Sequence, residues 1–449
     1  MNLSPRPVAS RTLTRQILSL ALPTFGAVIA EPFFILIDSA MVGHLGTEEL
    51  AGLGLASTIL QTIVGLFVFL LFSTTTLSAR AYGAGDNSAA LRSGINASWL
   101  AGALGLIAGI LLLIYTDPLL AAFSPSAEVA EHARAYLHFS SPGLVGMFVV
   151  YATTGTFRGL HSAHVPLIIS SVGALVNIAA NAVFIYLLHW GVGGSGAGTA
   201  LTQTLMALSF VLIIAYRVRG TDVSLFPSRG GVFGSLIDGF PLFIRTIALR
   251  ASLIATIAAA THLGVATLAA HQIVWSSWSF ISYAFDALAV AGQTLFAATC
   301  GRGDKESARF LLRYLTRWGA FAGVVIGIAV AFLAPFLPSL FTADGVVSEL
   351  ARAGLWVAAV GMPVAGVVFL LEGIVMGAGK TWSLAIAWIA VLLIYVPSLW
   401  VSMRIATSLS PLNAVMMLWG VFVGVFTMGR LVTLVWISFA SRGRYLYTF

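Results

Sequence analysis

Cysteine and charge are both scarce in this chain, and each shortage excludes a class of protein. Cys300 is the single cysteine among 449 residues, which excludes an intrachain disulfide and a metal cluster built on cysteines. Charged residues make up 9% of the chain and hydrophobic residues 59%, a balance that excludes a water-soluble globule. The composition therefore predicts a membrane protein with several spans.

Signatures of catalytic sites are missing as well. The sequence contains neither HExxH nor GxSxG, so a membrane-embedded enzyme is a weak alternative. Residues 83–86 and 301–304 resemble phosphate loops but lack the Lys-Ser/Thr pair of a P-loop. His44, His262 and His271 are too scattered for a metal site. We expect no enzymatic activity, no metal and no cofactor.

Long apolar runs fill most of the chain, and a helix needs about 20 such residues to cross a bilayer. The runs predict twelve transmembrane helices and an all-α fold. Their approximate bounds are 14–42, 50–78, 91–115, 132–156, 165–188, 194–217, 235–260, 267–298, 308–338, 348–376, 382–404 and 412–440.

The basic residues between these runs predict the orientation of the chain. Seventeen Lys and Arg residues fall on the side of the N-terminus, and only Arg134, Arg352 and Arg404 fall on the other side. Because Lys and Arg concentrate in cytoplasmic loops, we expect both termini in the cytoplasm. The corresponding location is the inner, cytoplasmic membrane of a cell.

An internal repeat with one constant offset along the chain organises the sequence. The matching pairs are Pro23 and Pro241, residues 44–46 and 262–264, residues 83–86 and 301–304, Gly155 and Gly373, and Gly159 and Gly377. We call their shared separation, that from Pro23 to Pro241, the repeat offset. Two halves of six helices in the same orientation are typical of transporters that work by alternating access. We predict a first lobe over residues 1–217, a linker over 218–232 and a second lobe over 233–449.

Several motifs in both halves resemble one transporter family. They are IDSAMVGHLG, LAGLGLA, ATTGTFRGL and GVGGSGAGTALTQ in the first half, and LAAHQI and YAFDALAVAGQTLFAATCGRGD in the second. The sequence resembles the DinF branch of the multidrug and toxic compound extrusion (MATE) transporters. This resemblance implies a two-lobed antiporter that exports lipophilic or cationic compounds against protons or sodium.

Alternatives and partners follow from the same resemblance. A flippase for lipid-linked precursors belongs to the same superfamily, but it usually has more helices and a basic central cavity. The acidic interior of the first half favours cationic cargo instead. We expect a monomer surrounded by membrane lipids, without a nucleic-acid partner.

Asp38 lies inside the first predicted span, where a charge at bilayer depth costs roughly 2.5–3.5 kcal/mol on insertion scales. The resemblance implies that Asp38 shares a cavity with Asn177, Asn181 and Thr199. Asn177 and Asn181 are four residues apart and share one helix face, where they either bind an ion or tie helices together. Thr199 lies in a glycine-rich stretch, which favours helix packing as its role.

The sequence leaves two alternatives for the coupling ion and two for the role of Glu31. Some relatives carry a second aspartate at the position of Asn181, so we favour a proton over sodium at Asp38. Glu31 precedes Asp38 by two turns on the same face. Because Pro32 follows it, Glu31 is either a second titrating group or a structural residue.

The second half contains its own intramembrane polar residues. The secondary candidates for coupling or substrate binding are Arg245, Arg250, Asp286, Gln293 and Glu372. Since buried charges are normally paired, we favour an ion pair of Asp286 with Arg245 or Arg250 over direct contact with substrate. Glu372 is expected to meet water or an arginine.

Overall fold

The computed structural model describes residues 10–440, without the side chains of residues 10, 11, 31, 33, 34, 229 and 440. This part of the chain is helical and contains no strand. The α-helices are α1 (Ser10–Gly43), α2 (Thr47–Leu66), α3 (Phe69–Gly83), α4 (Asn87–Ala121), α5 (Ala127–Ser140), α6 (Gly143–Gly159), α7 (His164–Asn181), α8 (Gly191–Arg217), α9 (Arg229–His262), α10 (Val265–Gly301), α11 (Lys305–Leu333), α12 (Gly345–Gly377), α13 (Thr381–Ala406), α14 (Pro411–Val421) and α15 (Met428–Val435). Short π-helical turns over Ala182–Leu187, Phe422–Thr427 and Trp436–Ala440 and a 3-10 turn over Leu337–Leu340 complete the list.

Eleven helices in the described range are long and apolar enough to cross a membrane. The fourth predicted span is absent from this count because α5 and α6 are separated at Ser141 and Pro142. Proline has no N–H to donate to the preceding turn, so the break falls where the sequence places this residue. The predicted all-α membrane fold is confirmed.

Close packing divides the chain into two units. The N unit comprises Leu22–Phe243, and the C unit comprises the described residues up to Ala21 together with those from Ile244 onward. The helices α1 and α9 are therefore each divided between the units. The lobe and linker boundaries predicted from the sequence stay a prediction.

The predicted linker packs onto α4 within the N unit. The Trp99 indole donates a 2.9 Å hydrogen bond to the carbonyl of Leu225. Near the start of α9, the Asn96 side-chain oxygen accepts a 3.0 Å bond from the backbone N–H of Ser228. Two side chains of α4 therefore fix the path of the chain into α9.

Glycines at repeat-related positions make the same helix contacts in both units. A β carbon at Gly155 of α6 would meet the carbonyl oxygen of Leu71 in α3. A β carbon at Gly373 of α12 would meet the carbonyl oxygen of Ala289 in α10. Gly373 follows Gly155, and Ala289 follows Leu71, by the repeat offset. The backbones of these helix pairs approach so closely that only glycine fits.

The aspartates that cap the N-termini of two helices are also related by the repeat. Asp86 caps α4 by accepting a 2.7 Å bond from the N–H of Ala89. Asp304, which follows Asp86 by the repeat offset, caps α11 through a 3.0 Å bond from the N–H of Ser307. Because Ser307 donates to this carboxylate, the pKa of Asp304 lies below its ordinary value.

We predict that Gly159→Ala destabilises the protein by about 1–3 kcal/mol through overpacking. A β carbon at Gly159 would lie 2.8 Å from the backbone nitrogen of Ala79 and 2.9 Å from the carbonyl of Thr75, and backbone atoms cannot easily move aside. The measurement is the midpoint of thermal unfolding in detergent. Gly54→Ala in α2 is the control, since its β carbon meets nothing within 4 Å. Equal midpoints for the two variants would contradict this packing argument.

Candidate functional site

Asp38 is buried in the N unit, with 7% of its surface exposed. Its Oδ1 accepts a 2.6 Å hydrogen bond from the Ser195 hydroxyl and a 2.8 Å bond from the Asn181 amide. These donors come from α8 and α7, so three helices converge on one carboxylate oxygen. Hydrogen bonds of this kind offset the cost of removing a charge from water.

Asn177 and Asn181 are brought together as their spacing predicts. The Asn181 amide donates to Asn177 Oδ1 at 3.1 Å as well as to Asp38. The Asn181 oxygen packs against Gly198, where a β carbon would collide with it. This oxygen and the Asn177 amide nitrogen have no hydrogen-bond partner among the described residues. The pair therefore links helices and also retains hydrogen-bonding capacity beside Asp38.

Thr199 joins this group through a tyrosine. Its hydroxyl interacts with that of Tyr136, which also interacts with Ser57 and lies within electrostatic range of Asp38. Tyr136 and Ser195 were missed by the sequence reasoning. Ser195 precedes Thr199 by one turn of α8, and that spacing was a usable signal. Tyr136 lies on α5, in the fourth predicted span, from which no candidate was drawn.

The other first-half candidate, Glu31, has a side chain outside the described residues. Its helix α1 contains both Pro23 and Pro32. A second tie between α1 and the fifth span is visible nearby, since the Tyr186 hydroxyl donates a 2.7 Å bond to the carbonyl of Met41. Tyr186 belongs to the π-helical turn that follows Asn181, and such turns are frequent at functional sites.

In the C unit, Glu372 lies between two arginines. Arg245 donates to its Oε1 and Arg430 donates to its Oε2 at 2.6 Å. The Trp388 indole adds a 2.9 Å bond to Oε1, and its ring lies 4.5 Å from the guanidinium carbon of Arg430. This carboxylate is therefore fully neutralised, unlike that of Asp38.

The remaining second-half candidates are Asp286, Arg250 and Gln293. Asp286 is within electrostatic range of Arg430, Arg250 is exposed, and Gln293 is buried. Arg245 contacts Glu372, a partner that the sequence reasoning did not single out. The pairing of Asp286 with Arg245 or Arg250 stays a prediction.

The repeat also relates Asp38 to a position in the C unit. The repeat offset leads from Asp38 to Thr256 and from Asn177 to Tyr395. The two hydroxyls of this second pair are buried and 2.8 Å apart. The C unit thus joins its first and fifth spans with neutral groups where the N unit has a carboxylate.

Comparison with known families agrees with this duplicated architecture. The chain matches the family MatE over residues 23–183 and again over 241–401. The chain belongs to the MATE family. The two matches are displaced by the repeat offset at both ends, as are the glycine and N-cap contacts. The MATE transporter predicted from the sequence motifs is confirmed.

Relatives in plants and bacteria match this MATE protein over more than half of its length. It is 30% identical over 378 residues to the protein DETOXIFICATION 44, chloroplastic, of Arabidopsis thaliana, with 81% of this chain and 71% of the relative covered. It is 26% identical to the DNA damage-inducible protein F of Escherichia coli, with 88% and 89% covered. A probable multidrug resistance protein NorM of Pseudomonas aeruginosa is 30% identical over 58% of this chain and 55% of its own.

Solved structures show the same fold. A crystal structure of MATE in the bent conformation superposes with a TM-score of 0.84 at 21% identity, covering 99% of this chain and 98% of the other. The Vibrio cholerae MATE transporter VcmN in the bent form gives 0.83 at 19% identity, covering 97% and 98%. The chain therefore has the MATE fold, and the family match identifies it as a multi-pass membrane transporter.

We predict that Glu372→Gln destabilises the transporter by roughly 3–5 kcal/mol, because it leaves two arginines without their shared carboxylate. The measurement is thermal unfolding of the purified protein. Asp117→Asn is the control: it breaks a 2.7 Å ion pair with Arg134 whose aspartate is 69% exposed, and exposed pairs contribute at most about 1 kcal/mol. A loss at Glu372 no larger than that at Asp117 would refute the structural role of this cluster.

Proposed function

We propose that this MATE transporter is a cation-coupled exporter of lipophilic and cationic compounds, with Asp38 as the residue that binds the coupling ion. The observation that carries the proposal is a buried carboxylate held by neutral donors, Ser195 and Asn181. None of the ion pairs among the described residues includes Asp38. A cation that enters this group therefore meets a negative charge that no arginine or lysine neutralises.

Two opposing effects make such a carboxylate responsive to protons. Burial disfavours the ionised form, whereas donated hydrogen bonds favour it. Both described donors converge on Oδ1, so Oδ2 is the oxygen on which a proton is best accommodated. A neutral Asp38 then keeps its contacts to α7 and α8 in weaker form.

The geometry favours a proton over sodium. Sodium requires oxygen ligands, but Asn181 presents its N–H group to the carboxylate and packs its oxygen against Gly198. Sodium binding would require this amide to turn, whereas a proton requires no rearrangement of the amide. The Asn177 oxygen already accepts the same N–H group.

Transport of the cargo is coupled to the ion because both compete for the negative charge of Asp38. A cationic compound is attracted to ionised Asp38, and protonation removes that attraction. Since Pro23 and Pro32 interrupt the hydrogen bonding of α1, this helix is the element that can repack when its contacts to α7 and α8 weaken. Ion and cargo then prefer different states of the same helix, which is the requirement for exchange.

Orientation and location complete the proposal. The excess of Lys and Arg on one side of the predicted spans supports cytoplasmic termini. The bacterial relatives of the DinF and NorM type support the inner membrane as the location. In this orientation, export would be driven by an inward flow of protons.

We predict that Asp38→Asn gives a folded protein without gradient-driven efflux, because asparagine is neutral and cannot exchange a proton. The measurement is ethidium efflux from liposomes under an imposed pH gradient, with and without sodium. Asp117→Asn, an exposed carboxylate on α4, should transport like the wild type. Efflux by Asp38→Asn with unchanged dependence on pH and sodium would show that Asp38 does not couple transport.

We predict that Ser195→Ala moves the pH dependence of efflux to higher pH by about 1–2 units, with no effect of replacing sodium by potassium. Ser195 donates to the ionised carboxylate, and a bond of this type contributes about 1.5–3 kcal/mol. Without it, Asp38 takes up its proton at higher pH. Ser209→Ala is the control, since the hydrogen bond that Ser209 on α8 makes among the described residues goes to the carbonyl of Leu205. An unshifted profile for Ser195→Ala would argue against the proton.

A further inference from the structure

A buried histidine and a buried tryptophan lie together in the C unit. His271 of α10 and Trp419 of α14 are each 1% exposed. Their ring centroids are 5.6 Å apart, with an angle of 37° between the planes. Neither residue belongs to the Glu372 cluster or to the repeat-related contacts.

The pair contains three ring nitrogens that are able to form hydrogen bonds. Nδ1 and Nε2 of His271 and Nε1 of Trp419 have no hydrogen-bond partner among the described residues. A neutral imidazole carries one donor and one acceptor, and an indole carries one donor. Leaving such a group unsatisfied costs about 1–3 kcal/mol, and native structures rarely gather three such atoms at one place.

The surroundings of the pair are aromatic. The ring of Trp275 lies 6.3 Å from that of His271, and the ring of Trp278 lies 6.0 Å from that of Trp419. Phe422 packs edge-on against Trp419 at 5.2 Å. Aromatic faces attract organic cations.

The backbone beside the pair is also unusual. Phe422 begins a π-helical turn that runs to Thr427 and follows α14 directly. Helical segments of this kind are rare and concentrate at functional sites. The N unit also contains a π-helical turn, over Ala182–Leu187, directly after Asn181, which contacts Asp38.

We propose that His271 and Trp419 form a second binding site, which holds a small group able both to donate and to accept a hydrogen bond. The group accepts from the Trp419 indole and pairs with the His271 imidazole as donor or acceptor. Two sources have this chemistry: a bound water molecule, or the polar end of an aromatic cationic cargo. The site lies in the C unit and does not depend on the role of Asp38.

The unfolding temperatures of two variants, compared with that of the wild type, test whether the site is occupied. His271→Phe and Trp419→Phe keep a ring and remove the nitrogens. If the nitrogens hold a water molecule, both variants unfold at lower temperature than the wild type without cargo, and Trp419→Phe loses more than Trp278→Phe, a buried tryptophan of the same cluster. His271→Gln, which keeps a donor and an acceptor, should lose less than His271→Phe.

Ethidium binding, followed by its fluorescence, distinguishes the second source. If the polar end of a cargo occupies the site, His271→Phe and Trp419→Phe raise the Kd of ethidium about 10-fold, while Trp278→Phe and His271→Gln change it less. Asp38→Asn tests the first site separately in the same assay. The proposal is overturned if the two variants melt at or above the wild-type temperature and bind ethidium with unchanged Kd. Should His271→Phe not fold, the comparison of Trp419→Phe with Trp278→Phe decides in the same way.

Discussion

The hydrogen bonds from Ser195 and Asn181 to one oxygen of Asp38 are the interaction on which the N unit depends. They join α1, α7 and α8 around a buried carboxylate. Because the donors are neutral, the negative charge is solvated but not cancelled. The strength of the contacts that join these helices therefore depends on whether the carboxylate is charged.

The C unit handles its buried polar groups differently. Glu372 is clamped by Arg245 and Arg430 and accepts a further bond from Trp388. A carboxylate in such surroundings stays ionised and serves to pair two cations. At the position related to Asp38, the hydroxyls of Thr256 and Tyr395 form a contact without charge. One helical plan thus holds a carboxylate with neutral donors in one unit and a carboxylate paired with arginines in the other.

The fold was predictable from the sequence, because it depends on long apolar runs and on a repeated set of glycines and prolines. The predicted span boundaries fall within a few residues of the helices, and Pro142 accounts for the break between α5 and α6. Asn177 and Asn181 were found because their spacing puts them on one helix face. Their contact with Asp38 is now visible, and their role in coupling belongs to the proposal.

Other parts of the site depend on contacts between distant helices, which spacing cannot show. Ser195 lies in the same glycine-rich stretch as Thr199, where packing was the simpler explanation, and Tyr136 lies in the fourth predicted span, from which no candidate was drawn. The partner of Arg245 was equally hidden, since Glu372 lies 127 residues away. Side-chain hydrogen bonds between helices follow from the three-dimensional packing, and a single sequence records only their endpoints.

The glycine contacts of α6 with α3 and of α12 with α10 have an evolutionary consequence. Each contact brings two backbones together at a point where any larger residue would collide, so these positions tolerate almost no mutational drift. The residues at the related positions Asp38 and Thr256, by contrast, differ in chemistry. After an ancestral duplication, selection was therefore free to change the polar residues in the interior of one copy. The glycine contacts kept both copies in the same fold.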